Sequence, residues 1–178
     1  GTTWTSRTSG TSNNLGKVIY ANSTFVTVGN SGTILTSSDA TTWTSRTSGT
    51  SNNLWKVKYA NSTFVTVGDN GTILTSSDAT TWTSRTSGTT KGLWGVTYGN
   101  STFVTVGESG TILTSSDGTT WTSKTPDTSQ DLWGVTYGNS TWVTVGESGT
   151  ILTSSDATTW TSRTSGTSET FRRVFYKE

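Results

Sequence analysis

The sequence predicts an all-β protein built from repeated antiparallel sheets, and three observations lead to that prediction. Five tryptophans recur every 39 residues, at positions 4, 43, 82, 121 and 160. Between them lie short runs of β-branched and aromatic residues separated by Gly, Asn, Asp and Ser, a pattern typical of strands joined by tight turns. No segment carries a 3.6-residue apolar period, so we expect no long helix.

The 39-residue period divides the chain into units. Four complete repeats and one partial repeat occupy 2–40, 41–79, 80–118, 119–157 and 158–178, and we interpret residues 1–178 as a single repeat domain. The first two repeats differ at four positions only. The chain contains no Met, so we expect it to be processed or to be a segment of a longer array.

Each 39-residue period contains four predicted strands. The set that begins in the second repeat is 54–59, 63–68, 72–75 and, past the repeat boundary, 82–86. In the first of these strands, Trp55, Val57 and Tyr59 alternate onto one face. Repeated four-stranded units of about 40 residues predict a β-propeller made of antiparallel blades. A β-solenoid, which has shorter coils, is the alternative fold.

The strand count leaves one strand over at each end of the chain. An unpaired fourth strand is predicted at 2–8 and an unpaired first strand at 171–176. Together they make a partial fifth blade, and pairing between them closes the ring in one interpretation. In the other, they dock onto another chain and build an oligomer or a filament.

The stretch from Ser37 to Trp43 marks the turn before each fourth strand. Asp39 is expected to accept hydrogen bonds from the backbone near Thr41 and Thr42, and the indole to enter the seam with the neighbouring blade. The structural acids and indoles of the four copies are Asp39, Trp43, Asp78, Trp82, Asp117, Trp121, Asp156 and Trp160.

This stretch resembles the Asp-box of sialidase-type and photosystem-assembly-factor-type β-propellers, whose pattern is roughly S-x-D-x-G-x-T-W. The chain is one residue shorter between Asp39 and Trp43, and its glycine is present only in shifted form, as Gly118. In that family the box is structural and lies away from the catalytic site. The resemblance therefore implies a fold and no reaction.

Composition narrows the class of function. The formal net charge is +1 and charged residues make up 13% of the chain, so we expect neither a nucleic-acid partner nor membrane insertion. The chain has no Cys and no His, which excludes disulfides, thiolate and imidazole zinc sites, and a Ser-His-Asp triad. We expect no cofactor and no metal, and the abundance of Thr, Ser, Asn and Gly favours an extracellular or cell-surface location.

Differences among the repeats cluster on one loop face. This face contains the turns between the second and third strands and the connections from each fourth strand to the next first strand. A carbohydrate-binding site is the sharper interpretation of these differences, with indoles stacking on sugar rings and carboxylates accepting from hydroxyls. The candidate ligand-binding residues are Trp55, Trp94, Trp133, Asp69, Glu108 and Glu147. The alternatives are core packing of these tryptophans between blades and drift in solvated turns.

Sialidase-like catalysis needs three convergent arginines. Here the candidates Arg7, Arg46, Arg85 and Arg163 are predicted on outer strands that radiate apart. The sequence therefore predicts no enzyme activity.

The turn between the first and second predicted strands carries Asn-Ser-Thr in every copy, a pattern of hairpin turns and of N-glycosylation acceptors. The possible acceptors are Asn22, Asn61, Asn100 and Asn139.

The leading functional prediction is a non-enzymatic extracellular scaffold or binding module with a glycan or protein ligand. One alternative is a lectin-like carbohydrate-binding propeller. The other is a structural subunit of a filament or oligomer that associates with itself through its unpaired terminal strands.

Overall fold

The computed structural model describes residues 3–177, which form sixteen strands and three short 3₁₀ turns. The strands are β1 (Leu15–Ala21), β2 (Thr24–Gly29), β3 (Ile34–Ser37), β4 (Thr44–Arg46), β5 (Leu54–Ala60), β6 (Thr63–Gly68), β7 (Ile73–Ser76), β8 (Thr83–Arg85), β9 (Leu93–Gly99), β10 (Thr102–Gly107), β11 (Ile112–Ser115), β12 (Thr122–Lys124), β13 (Leu132–Gly138), β14 (Thr141–Gly146), β15 (Ile151–Ser154) and β16 (Thr161–Arg163). The 3₁₀ turns are Asn30–Gly32, Asp69–Gly71 and Glu108–Gly110. No helix among the described residues has the length and apolarity needed to cross a membrane.

The strands form four antiparallel sheets, each a simple meander of four consecutive strands. We call these sheets blades 1 to 4, from β1–β4 to β13–β16. The first strands lie side by side in the order β1, β5, β9, β13, and residues from all four line one central cavity. The first strand of each blade is therefore innermost, and the predicted propeller of four-stranded blades is confirmed.

Two faces of each blade build the apolar seams. The trailing face carries two valines of the second strand and one isoleucine of the third, such as Val26, Val28 and Ile34 in blade 1. The leading face of the next blade covers them with Leu54, Val57, Tyr59, Phe64, Leu74 and Trp82. The two later seams repeat this arrangement. Burial of these side chains is the main stabilising contribution to the fold.

The acidic turn before each fourth strand is held by one carboxylate. Asp39 Oδ1 accepts from the backbone N–H groups of Thr41 and Thr42, both at 2.8 Å, and from Ser37 Oγ at 3.0 Å. These bonds stabilise the charged form and lower the pKa of Asp39 to about 2. The indoles that follow are half-buried or buried, and Trp82 Nε1 donates to the Ala79 carbonyl at 3.1 Å.

A β-bulge interrupts every innermost strand. In blade 2, Leu54 pairs with Gly68 and Lys56 pairs with Val67, so that Trp55 is the extra residue. The predicted alternation of Trp55 with Val57 and Tyr59 is therefore wrong, because the bulge shifts the phase by one residue. Leu54, not Trp55, shares the seam with Val57 and Tyr59.

The terminal segments form no strand within residues 3–14 and 164–177. Part of the predicted N-terminal strand, Thr2, lies outside the described residues, and the indole of Trp4 is 93% exposed. The C-terminal segment lies against β13, where the innermost strand of a fifth blade belongs: a Cβ on Gly134 would meet Val174 N at 3.2 Å. Backbone bonds from Phe171 N to Gly146 O and from Gly149 N to Glu169 O hold it there, at 2.9 and 2.8 Å.

Blade 1 consequently lacks a neighbour over the innermost part of its leading face. Leu15 is 41% exposed and Val18 is 52% exposed, whereas their counterparts Leu54 and Val57 in blade 2 are 0% and 3% exposed. The same repeat sequence thus buries its first strand in blade 2 and leaves it open in blade 1. The C-terminal segment lies against blade 4, but Leu15 and Val18 of blade 1 stay exposed.

Candidate channel-mouth site

The loop face predicted from repeat divergence is a connected polar surface. The turn after the second strand of one blade hydrogen-bonds to the connection that enters the next blade. Ser31 N donates to Asn53 Oδ1 at 3.0 Å, and Ser109 N donates to Asp131 Oδ1 at 2.9 Å. These bonds connect blade 1 to blade 2 and blade 3 to blade 4 on this face. The central cavity, which Trp133 also lines, has a volume of about 540 Å³.

Three of the predicted ligand-binding residues are the bulge residues of the innermost strands. Trp55, Trp94 and Trp133 occupy equivalent positions in blades 2, 3 and 4, and all are half-buried. The rings of Trp94 and Trp133 stack, with centroids 4.2 Å apart and planes 11° apart. The guanidinium carbon of Arg172 lies 5.4 Å from the Trp133 centroid, which extends the stack onto the C-terminal segment as a cation–π contact.

The three predicted carboxylates have different surroundings. Asp69 accepts from Trp55 Nε1 at 2.6 Å and from Asn53 Nδ2 at 3.0 Å. Glu108 accepts from the backbone N–H of Gly92 and from Lys91 Nζ, both at 3.1 Å, and these bonds lower its pKa. The structure therefore joins Asp69 to an indole but pairs Glu108 with a lysine.

Within the described residues, Glu147 has no side-chain hydrogen bond. Over the same residues, no three acidic side chains gather into a group that holds a metal ion. The three carboxylates are spread one per blade around the rim and do not share a single ligand position.

One donor at this site lacks an acceptor. The indole nitrogen of Trp133 is buried and has no hydrogen-bond partner among residues 3–177. Its counterpart in blade 2, Trp55, is satisfied by Asp69. A buried N–H without an acceptor costs about 1–3 kcal/mol, so the Trp133 indole is a point where an added acceptor stabilises the protein.

Sequence reasoning missed a set of cations in the same cavity. The cavity is lined by basic side chains of blades 1 and 2 and of the C-terminal segment: Lys17, Lys56, Lys58, Arg172 and Arg173. One signal was present in the sequence. The first two repeats differ at four positions, and at one of them Ile19 of the first repeat is replaced by the cation Lys58 of the second. Their convergence depends on which strand is innermost.

The arginines of the outer strands lie elsewhere. Arg46 Nε donates to Thr36 Oγ1 and Arg85 Nε donates to Thr75 Oγ1, each at 2.8 Å within its own blade. They stand on β4 and β8, the outermost strands of blades 1 and 2. These two cations therefore contribute to their own blades and not to the cavity.

The Asn-Ser turns lie on the opposite face from this site. Asn61 and Ser62 link β5 to β6 with positive φ values of 47° and 55°, as in a two-residue type I′ hairpin. Asn22, Asn61, Asn100 and Asn139 are all exposed, so each side chain is open to solvent at a turn tip.

Comparison with solved structures shows the fold. A structure of YCF48 bound to a D1 peptide matches with a TM-score of 0.71 and 18% identity, covering 93% of this chain and 58% of that one. YCF48 from Cyanidioschyzon merolae matches at 0.66 and 17%, covering 85% and 57%. The chain thus spans a little under three-fifths of either YCF48 structure. No family model and no curated protein matches the sequence.

A further match corrects one prediction. An exo-β-1,3-galactanase from Phanerochaete chrysosporium, solved with β-1,3-galactotriose, matches with a TM-score of 0.50 and 15% identity, covering 84% of this chain and 49% of that one. This overturns the prediction of no enzyme activity, because the fold also occurs in a glycoside hydrolase. The lack of His and Cys and the separated arginines exclude particular catalytic groups, not catalysis on this fold.

The resemblance to photosystem-assembly-factor-type propellers is confirmed at the level of the fold. Both YCF48 structures match over at least 85% of the chain. The strands form four-stranded antiparallel blades, and each of the repeats 41–79, 80–118 and 119–157 supplies the fourth strand of one blade and the first three strands of the next. The protein is a β-propeller whose blades are similar to those of YCF48.

Proposed function

We propose that the protein is a binding propeller that holds a segment of a partner protein. The segment binds at the channel mouth, by which we mean the loop face around Trp55, Trp94 and Trp133. One observation carries the proposal: the indole N–H of Trp133 is buried without an acceptor among the described residues. A backbone carbonyl of a bound peptide supplies that acceptor when the peptide displaces the side chains that cover the nitrogen. The half-buried rings of Trp94 and Trp133 offer apolar area beside it, as at the centre of many protein interfaces.

The comparison with YCF48 supports a protein ligand for this fold. That propeller has been solved with a D1 peptide bound. Because this chain shares 18% identity with it and spans 58% of its length, the D1 peptide itself is not carried over. The comparison supports only the coarser proposal that this propeller also binds a peptide.

A peptide array probed with wild-type protein and with Trp133→Phe tests the proposal. Phe keeps an aromatic ring in the stack but removes the donor, so we expect peptides that bind the wild type to lose about tenfold in affinity. Lys124→Gln on the outer strand β12 is the matched surface control and should bind as the wild type does. The proposal fails if no peptide binds, or if Trp133→Phe binds as tightly as the wild type.

Carbohydrate binding is the second candidate, and the environment of Trp55 favours it. Its indole N–H is fixed by Asp69 at 2.6 Å, while no aromatic ring among the described residues stacks on it. A fixed, unstacked ring is the platform that a sugar needs. A glycan array should show binding that Trp55→Ala abolishes and Trp94→Ala weakens less. Equal loss in both variants, or no glycan bound, contradicts this assignment.

Self-association is the third candidate, and it follows from the open leading face of blade 1. In three seams the same leading face is covered by a Val, Val and Ile trailing face. The C-terminal segment lies over the innermost part of the trailing face of blade 4, but Val143 and Ile151 of that face stay only half-buried. A second copy therefore supplies a matching surface, in a head-to-tail contact through seams and not through paired terminal strands.

Solution mass decides between a monomer and this assembly. Oligomers that grow with concentration are expected for the wild type, and Leu15→Asp should return them to an 18.9 kDa species. A wild type that stays monomeric at every concentration contradicts self-association.

An extracellular location belongs to the same proposal and is supported by composition and by the four exposed Asn-Ser-Thr turns. Intact mass of protein from the native source tests whether glycans occupy these turns. Unmodified protein recovered from a secretory host contradicts the assignment of the turns as acceptors.

A further inference from the structure

The central cavity has a strongly cationic wall. Five basic side chains line it, and within the described residues 3–177 no Asp or Glu does so. Counterparts of Lys56 in blades 3 and 4 are Gly95 and Gly134, and the counterpart of Lys58 in blade 3 is Thr97. The positive charge is therefore confined to blades 1 and 2 and the C-terminal segment, while blades 3 and 4 contribute neutral residues.

Among residues 3–177, no salt bridge compensates this charge. Over residues 3–177 the one salt bridge is Lys91–Glu108, at 3.1 Å, and neither partner lines the cavity. Burial, followed by the charges of Arg173 and Lys17, lowers the pKa of Lys56. Like charges that converge in a partly desolvated concavity repel one another, and an anion that enters relieves that repulsion.

The donors suit oxyanions that carry several charges. Lysine ammonium groups act as point charges, and an arginine guanidinium pairs with two oxygens of a carboxylate or phosphate. The volume of about 540 Å³ lies within the range of small-molecule sites. A ligand with two or more charged groups reaches several of these cations at once, whereas a single chloride ion does not.

We propose that the central cavity binds a small multivalent oxyanion, a polyphosphate or a polycarboxylate, between Lys17, Lys56 and Arg173. Lys58 and Arg172 add positive charge around the same space. This ligand is distinct from the peptide proposed for the channel mouth, and the site stands whether or not a peptide binds there.

Calorimetric titration with pyrophosphate and with citrate, at constant ionic strength set by sodium chloride, tests the site. Binding of one or both is expected, and the stronger of the two identifies phosphate or carboxylate as the preferred group. The double variant Lys56→Gln/Arg173→Gln should lose at least tenfold in affinity. The matched control Arg85→Gln/Lys124→Gln, which removes two outer-strand cations, should bind as the wild type does.

A second measurement needs no ligand. Relief of repulsion predicts that Lys56→Gln raises the thermal midpoint in low salt and reduces the gain in midpoint that the wild type shows on adding sodium chloride. The proposal is overturned if neither anion binds better than chloride, or if the cavity double variant and its control bind alike. It is also overturned if Lys56→Gln leaves the salt dependence unchanged.

Discussion

The indole rings of Trp94 and Trp133 stack with their centroids 4.2 Å apart, although 39 residues and a blade boundary separate them. Each is the bulge residue of its innermost strand. The stack therefore joins blades 3 and 4 at the rim of the cavity, and its effect is measurable apart from the apolar seam below it.

A double-mutant cycle on this pair gives the first prediction. Trp94→Ala and Trp133→Ala should show a coupling free energy of about 0.5–1.5 kcal/mol in denaturant unfolding. The pair Trp55 and Trp133, which does not stack, is the control and should be additive within about 0.5 kcal/mol. Additivity in the stacked pair would show that the rings do not support each other.

Leucine truncation compares one covered seam with one open one. Leu54→Ala should reduce the free energy of unfolding by about 2–5 kcal/mol, because it leaves a cavity in the seam between blades 1 and 2. Leu15→Ala makes the same change at the same repeat position, where the side chain is 41% exposed, and should cost less than half as much. Equal losses would mean that blade 1 is covered in solution.

A threonine pair tests the support of the bulge. Thr105 Oγ1 donates to the Gly95 carbonyl at 2.8 Å in the buried seam of blade 3. Thr105→Val removes that donor at constant shape and should cost about 1–3 kcal/mol. Thr27, its counterpart in blade 1, is also buried but makes no side-chain hydrogen bond among residues 3–177, so Thr27→Val should be close to neutral by chemical denaturation.

The hairpin turns offer a stabilising change. Ser62 adopts a φ of 55°, a conformation that costs an L-residue about 1–2 kcal/mol and glycine nothing. After the greater chain entropy of glycine is subtracted, Ser62→Gly should stabilise by about 0.5 kcal/mol. Ser84→Gly within the regular strand β8 should instead destabilise, and thermal melts of the two variants distinguish these outcomes.

The acidic turns predict a loss of stability in acid. The pKa of Asp39 is lowered from 3.8 to about 2 by N–H groups of Thr42 and Thr41. The folded protein therefore binds this proton more weakly than the unfolded chain does. The stabilisation is fully present above about pH 4 and disappears as the pH falls through about 2.

Asp39→Asn should lower the unfolding midpoint at pH 7 and flatten its dependence between pH 4 and 2. Asp127→Asn in a connecting loop is the control and should leave the midpoint at pH 7 unchanged. A wild-type profile that is flat across this range would contradict the assigned role of the carboxylate.

Much of the fold was predictable because it depends on local chemistry repeated at a fixed period. Turn residues at constant positions mark where strands end, and alternating apolar residues mark two-sided burial between blades. The site was less predictable. A single inserted residue at each bulge exchanged Trp55 for Leu54 in the seam, and no periodicity argument locates such an insertion.

By itself, therefore, the sequence determined the repeat, its four strands and the turn acids, since each depends on contacts within a few tens of residues. Tertiary structure alone decided that Lys17, Lys56 and Arg173 surround one cavity and that Leu15 lacks the cover given to Leu54. The physical reason is that identical repeats acquire different environments only from their order around the axis, which brings distant residues together and leaves one blade without a neighbour.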